Sequence, residues 1–204
     1  MSDLLDSNKY HNHIYADDLL AYKLFYISKQ DEAIESCKTL VEELVFWSQT
    51  RRLVLNPSKT QIMWLGKDSL LKQIHIHSFD IFNSDIETSK YIKFLGVLLD
   101  QTLSMLPHIS VLSRTCFFPN KAAMAGSTLP YSIDIRTISI CICSIETIEF
   151  CNSILSGIPI SSSGRLQAVL HAAARLLTFT RRYEHMGPVL KTLHWLPYPQ
   201  RISF

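Results

Sequence analysis

The amino-acid sequence predicts an α+β protein, in which a mainly antiparallel sheet with one packed helix precedes a helical region. Up to about Asp100, short apolar segments are separated by turn residues, which is the pattern of β-strands. One stripe of apolar residues at helical spacing, from Asp31 to Trp47, predicts the helix of this half. Beyond Asp100 the apolar residues recur mostly at helical spacing. We therefore expect one domain at 1–100 and a helical region with an irregular basic tail at 101–204.

The composition limits the class of protein and its compartment. With 204 residues, of which 47% are hydrophobic and 19% charged, the chain can bury a core and is not a disordered protein. Five cysteines, an odd number without framework spacing, favour a reducing compartment. The chain opens without a basic-then-apolar leader, and its most apolar stretch, 138–145, is too short to span a bilayer. We expect an intracellular protein, cytoplasmic or nuclear, that is neither secreted nor bound to a membrane.

The charges are distributed unevenly along the chain. Residues 1–50 hold nine acidic and four basic side chains, whereas residues 165–204 hold one acidic and six basic side chains. An acidic segment and a basic tail would suit a protein that handles a polyanion. Ordinary variation of surface charge explains the same pattern equally well.

The elements of the first half follow from apolar runs and turn residues. Residues from Ile14 to Tyr22 predict a β-hairpin with two acidic residues at its tip. Ser28 is a candidate N-cap for the helix that follows. Further strands are predicted at 53–55, 61–65, 74–79 and 91–99, with turns at 56–58 and 83–85 and a bulge or close backbone approach at Gly96.

The second half is predicted to contain three helices, at 109–118, 133–153 and 165–179. A loop at 161–164 precedes the last of them. This helix has apolar residues on one face and polar ones on the other, the polar face being formed by Gln167, His171 and Arg175.

Two adjacent carboxylates stand out in the sequence Tyr15-Ala16-Asp17-Asp18. Like charges this close raise each other's pKa unless a cation lies between them. Mg²⁺ is well suited to that position, because it binds carboxylate oxygens together with substrate phosphates. Such sites are the basis of two-metal phosphoryl and nucleotidyl transfer. The sequence therefore predicts a magnesium site at Asp17 and Asp18.

A series of later motifs follows this tetrapeptide. In order, they are Leu53-Val54-Leu55-Asn56-Pro57-Ser58-Lys59-Thr60, Phe94-Leu95-Gly96-Val97, Gly157-Ile158-Pro159 and His194-Trp195-Leu196-Pro197. The series resembles the second half of a reverse transcriptase from non-LTR (LINE-type) retrotransposons, over nearly the whole chain from His11 onward. The tetrapeptide alone is a modest signal. The later motifs strengthen it because each is independent of the first.

The resemblance implies a partial reverse-transcriptase palm followed by a thumb and post-thumb region. It also implies an RNA-directed DNA polymerase, which is a nucleotidyltransferase. Asp17 and Asp18 would then hold Mg²⁺, and Tyr15 would lie under the primer terminus. Lys59 would protonate or steady the leaving pyrophosphate; a solvated lysine after a turn is the alternative.

The resemblance further implies two regions that bind nucleic acid, with an RNA template and a DNA primer as partners. Phe94-Leu95-Gly96 matches a hairpin that grips the primer strand, which is compatible with a core strand that contains a bulge. Arg175, Arg181 and Arg182 fall in the thumb region, where they would contact phosphates. The alternative is three surface arginines, with Arg175 the best placed for an internal ion pair.

One departure from the family pattern bears on activity. Reverse transcriptases of this family place a third essential carboxylate on a strand well before the hairpin, and only fourteen residues precede Tyr15 here. We expect a fragment that binds Mg²⁺ weakly or not at all, that does not polymerise by itself and that could self-associate through an unpaired sheet edge. Two alternatives stay open: a retrotransposon-derived nucleic-acid-binding protein without catalysis, and a minimal polymerase completed by another chain.

Overall fold

Helices and small antiparallel sheets make up the computed structural model, which confirms the α+β class. It describes residues 10–16, 18–81, 84–126, 135–150 and 152–203. Where a single sheet was expected, the described residues form three separate two-stranded sheets. The strands are β1 (His11–Tyr15), β2 (Asp18–Tyr22), β3 (Ser78–Ile81), β4 (Ser84–Glu87), β5 (Tyr91–Phe94) and β6 (Val97–Asp100), paired β1–β2, β3–β4 and β5–β6.

The chain divides into two compact units after Ile92, within β5 and ahead of the predicted boundary at residue 100. The α-helices are α1 (Gln30–Thr50), α2 (Asp68–Leu71), α3 (Leu106–Gly126), α4 (Ile135–Glu149), α5 (Ile160–Thr178), α6 (Met186–Thr192) and α7 (Tyr198–Arg201). Short 3₁₀ helices lie at Ile27–Lys29, Pro57–Lys59 and Asn152–Leu155.

Helix α1 is the central element of the first unit. Its buried Leu40 and Leu44 pack against the β1–β2 hairpin, whereas Ile34 and Val41 pack against a second cluster. At helical spacing these residues lie side by side, so the two clusters share the single predicted stripe. The predicted N-cap is wrong, because Ser28 lies inside a 3₁₀ turn and α1 begins after Lys29 without a side-chain cap. The second cluster is built on Trp64, Ile74, Phe79 and Ile81.

A lysine at the end of β2 fixes the hairpin against α1. Lys23 Nζ donates a hydrogen bond to Ser36 Oγ at 2.6 Å, and it lies 5.6 Å from the ring centroid of Tyr10. The Tyr10 hydroxyl donates to the main-chain carbonyl of Ser36. The acidic tip therefore projects from a hairpin whose other end is anchored on a helix.

The strands predicted at 53–55 and 61–65 do not form as expected. Val54 is 94% exposed, and of the three residues 53–55 only Leu55 packs on the α1 cluster. Residues 61–65 contribute a single parallel bridge, between Ile62 and Thr88. Apolar β-branched runs favour strands, but a strand forms only where a neighbour completes its hydrogen bonds.

Three helices, α3, α4 and α5, surround the core of the second unit. Their positions agree with the predicted helices, although the bounds differ. The loop predicted at 161–164 is wrong, because these residues form the first turn of α5, where Ser162 and Ser163 are buried. The buried core residues are Val97, Met105, Ile109, Leu112, Cys116, Ile148, Leu155, Leu166, Val169 and Tyr198.

The tail predicted to be irregular contains α6 and α7. Tyr198 of α7 belongs to this core, whereas Met186 and Leu190 of α6 pack on α5 in a separate cluster. Tyr198 is fully buried, and its main-chain N–H donates to Gln167 Oε1 at 2.6 Å. Arg201 pairs with Glu149 of α4, and its Nε donates to the carbonyl of Leu196 at 2.9 Å. Gln167 lies on the predicted polar face of α5, and its contact with the tail is not evident from the sequence.

Candidate functional site

The predicted hairpin is confirmed, with Asp18 beside its turn. Strands β1 and β2 are antiparallel, and Tyr15 pairs directly with Asp18. Two residues therefore connect the strands: Ala16, which has a φ of +53°, and Asp17, which lies outside the described residues. Two-residue connections with positive φ match the right-handed twist of hairpin strands.

The two faces of the hairpin have different environments. Leu19 and Ala21 lie on the face that packs on the α1 cluster. The opposite face holds Tyr15, which is 66% exposed, and the exposed carboxylate of Asp18. An exposed carboxylate beside a turn can bind a hard cation such as Mg²⁺ through oxygen. The described residues contain no group of three His, Cys, Asp or Glu side chains that could hold a metal ion.

Lys59 ends a short turn in the same unit as the hairpin. The Asn56 side chain accepts a hydrogen bond from the Ser58 N–H at 3.0 Å, which opens the 3₁₀ helix Pro57–Lys59. The turn predicted at 56–58 is therefore confirmed. Lys59 itself is exposed, which suits both interpretations of its role.

Phe94-Leu95-Gly96 lies at the turn of the β5–β6 hairpin, where one long strand was predicted. Leu95 and Gly96 connect β5 to β6 and have φ values of +46° and +83°. In place of a bulge, Gly96 has a close side-chain neighbour, since a Cβ added to it would lie 2.9 Å from Cε1 of Phe150. The Phe150 ring therefore covers the glycine of this turn.

Replacing Gly96 by alanine is expected to destabilise the second unit by about 2 kcal/mol, from the left-handed backbone and the approach to Phe150. Gly157 is the matched control, because it has the same φ of +83° with no atom within 4 Å of an added Cβ. Gly157→Ala should cost about 1 kcal/mol, the backbone strain alone. Native-state hydrogen exchange at the α3 amides measures both. A Gly96→Ala cost no larger than that of Gly157→Ala would show that Phe150 gives way freely.

The three arginines of the predicted phosphate-binding region lie near the end of α5. The Arg175 guanidinium donates to the carbonyl of Arg182 at 3.4 Å. Arg181 and Arg182 are exposed, and Arg181 Nη1 donates to the hydroxyl of Tyr183 at 2.8 Å. The internal ion pair expected for Arg175 is not the observed contact, and its buried Nε has no partner among the described residues. Among the described residues of this unit, the arginine that forms an internal ion pair is Arg201, with Glu149.

The buried cysteines offer no reactive thiolate. Burial raises the pKa of the Cys116 and Cys141 thiols to about 11. Of the cysteines further along the chain, Cys143 is exposed and Cys151 lies outside the described residues. Thiol chemistry at neutral pH is not expected at either buried position.

Comparison of the chain with protein-family models, with curated proteins and with solved structures finds no match. Among the described residues, no helix is long and apolar enough to cross a membrane.

Proposed function

We propose that the chain is a part of an RNA-directed DNA polymerase of the non-LTR retrotransposon type. The observation that carries this is the register of the first hairpin, which pairs Tyr15 with Asp18 and leaves Ala16 and Asp17 at its tip. A polymerase active site needs carboxylates on an exposed and rigid support, and α1 supports this hairpin through Leu19 and Ala21.

Asp17 and Asp18 would hold Mg²⁺ in this proposal. The bound ions would neutralise developing phosphate charge and align the attacking and leaving oxygens. Tyr15 offers an exposed aromatic surface beside the carboxylates, where a primer terminus could pack. Lys59 would supply a positive charge to the leaving pyrophosphate. Asp17 and Asp18 would be two carboxylates of the site, and a third would come from another part of the polymerase.

In this proposal, primer binding at the β5–β6 hairpin also involves the ring of Phe150. A primer strand that approaches Gly96 would meet the ring of Phe150 first. Phe150 is itself half exposed, so its ring could rotate away or stack on a base. The primer-binding role of Phe94-Leu95-Gly96 therefore includes Phe150.

Arg175, Arg181 and Arg182 would contact phosphates of the template and primer. Changing Arg181 and Arg182 to glutamine is expected to weaken binding of an RNA–DNA primer–template uniformly across sequences. The slope of log K against log salt should decrease by about two, because each lost phosphate contact releases one counterion fewer. Fluorescence anisotropy over a salt series measures this.

The matched control is Lys67→Gln with Lys72→Gln, which removes two exposed charges from the first unit. It should leave the slope nearly unchanged. No binding by the unmodified chain at low salt would contradict the proposal. Equal slopes for the two double variants would show that Arg181 and Arg182 do not contact the nucleic acid.

Primer extension tests the catalytic part. The 204-residue chain with Mg²⁺ and an RNA template is expected to give no extension without the remaining polymerase segments. Extension that Asp18→Asn abolishes would contradict this expectation and show that the chain polymerises without a helper chain.

A second candidate is a nucleic-acid-binding protein without catalysis. The observation that favours it is the exposed pair Arg181 and Arg182 beside Arg175. The two functions differ in how Mg²⁺ acts. If the hairpin carboxylates hold Mg²⁺ at the primer terminus, Asp18→Asn should weaken Mg²⁺-dependent binding of the primer–template, whereas a non-catalytic binder should be indifferent to this change.

A further inference from the structure

Two histidines lie on the exposed face of the first hairpin. His11 and His13 are two residues apart on β1, and alternate residues of a strand point to the same face. Leu19 and Ala21 occupy the other face, on the α1 cluster. Both histidines are exposed, so their imidazole rings are open to solvent.

Tyr22 packs against both imidazole rings. It is the direct cross-strand partner of His11, and their ring centroids are 5.1 Å apart with planes inclined by 24°. The ring of His13 stacks on the same tyrosine at 6.1 Å and 20°. Contact with one common ring restricts the rotamers of both histidines, which lowers the entropy lost when they bind a common ligand.

We propose that His11 and His13 form a chelating site for a divalent transition-metal ion such as Zn²⁺, Ni²⁺ or Cu²⁺. Neutral imidazole nitrogen suits these ions, whereas Mg²⁺ prefers carboxylate and phosphate oxygen. The site goes beyond the proposed polymerase function and does not depend on it. Water would complete the coordination, so the ion would exchange readily.

The register also relates this site to the acidic tip. His13 pairs with Leu20, and Asp18 precedes Leu20 by two residues on the same face of the hairpin. Diagonal neighbours of this kind lie about 7 Å apart, within reach of long side chains. A bound transition-metal ion therefore places positive charge close to the carboxylate of Asp18.

Isothermal titration calorimetry of the full chain with Ni²⁺ tests the site. His11→Ala with His13→Ala should remove one bound ion or weaken its binding by at least about tenfold. His75 and His77 provide the matched control, since they have the same spacing outside the named strands. Their double alanine variant should retain the site. Circular dichroism confirms that both variants are folded.

A second measurement uses the unmodified chain. Substoichiometric Zn²⁺ should shift the imidazole proton resonances of His11 and His13 before those of other histidines. The proposal is overturned if the His11/His13 variant binds as many ions with the same affinity, or if the first resonances to shift belong to other histidines.

Discussion

Replacing Tyr198 by alanine is expected to cost the second unit about 3–5 kcal/mol, a large share of the stability of a domain this size. Tyr198 is fully buried among core residues of α3, α4 and α5, so its removal leaves a cavity. The change should also loosen α7, whose first residue bonds Gln167. Native-state hydrogen exchange at the α3 and α5 amides measures the loss.

Tyr198→Phe is the matched control and should not lower the stability of the second unit. The Tyr198 hydroxyl is buried without a hydrogen-bond partner in the described part of the chain, and burial raises its pKa to about 12. An unsatisfied buried hydroxyl costs about 1–3 kcal/mol, so its removal should leave stability unchanged or increase it. A loss above about 1 kcal/mol in the phenylalanine variant would mean that the hydroxyl has a partner.

Replacing Asp100 by alanine is expected to cost about 2–4 kcal/mol, because a buried carboxylate that accepts several hydrogen bonds is lost. Its Oδ1 accepts from the Met105 N–H at 2.9 Å. Its Oδ2 accepts from the Thr102 hydroxyl at 2.6 Å and from the Ser104 N–H at 3.1 Å. These bonds hold the turn that leads into α3. Glu146→Gln, which alters an exposed carboxylate of α4, should change stability by less than about 0.5 kcal/mol.

The same carboxyl gives the second unit an acid dependence of known sign. Burial alone raises the pKa of Asp100, but the hydrogen bonds from Thr102, Ser104 and Met105 outweigh it and hold the pKa below its ordinary value. Its contribution is therefore complete above the unfolded pKa and is lost as pH falls through the lower, folded pKa. Asp100→Asn should flatten this part of the stability curve in acid. A variant with the unchanged acid profile would show that other groups control it.

Local patterns predicted the β1–β2 hairpin and the turn at 56–58, but the turn predicted at 83–85 is wrong, because Ser84 and Asp85 belong to β4. Two acids flanked by apolar residues predicted the β1–β2 hairpin, whereas Gly96, a glycine inside an apolar run, lies in the β5–β6 turn and not at a bulge. The position of Asp18 beside the turn could be predicted for the same reason, because it depends on residues next to it in sequence. The position of Phe150 over Gly96 could not, since it depends on how α4 packs.

Features that depend on distant partners were missed. Leu53 and Val54 have the composition of a strand, yet no strand in the described part of the chain pairs with them, and both are exposed. The tail has prolines and basic residues typical of a loop, yet Tyr198 is buried between helices and Arg201 forms an ion pair with Glu149. The contacts of His11 and His13 with Tyr22 were not predicted either, because they depend on the register of the β1–β2 hairpin.

Pairing in the described sheets joins strands that are consecutive along the chain, β1 to β2, β3 to β4 and β5 to β6. Each pair closes a connection of only two residues, which brings its ends together at small entropic cost. Hairpins of this kind form in about 1–10 μs. The contact order of the sheets is therefore low, and the slower steps of folding belong to the packing of α1 and to the assembly of α3, α4 and α5.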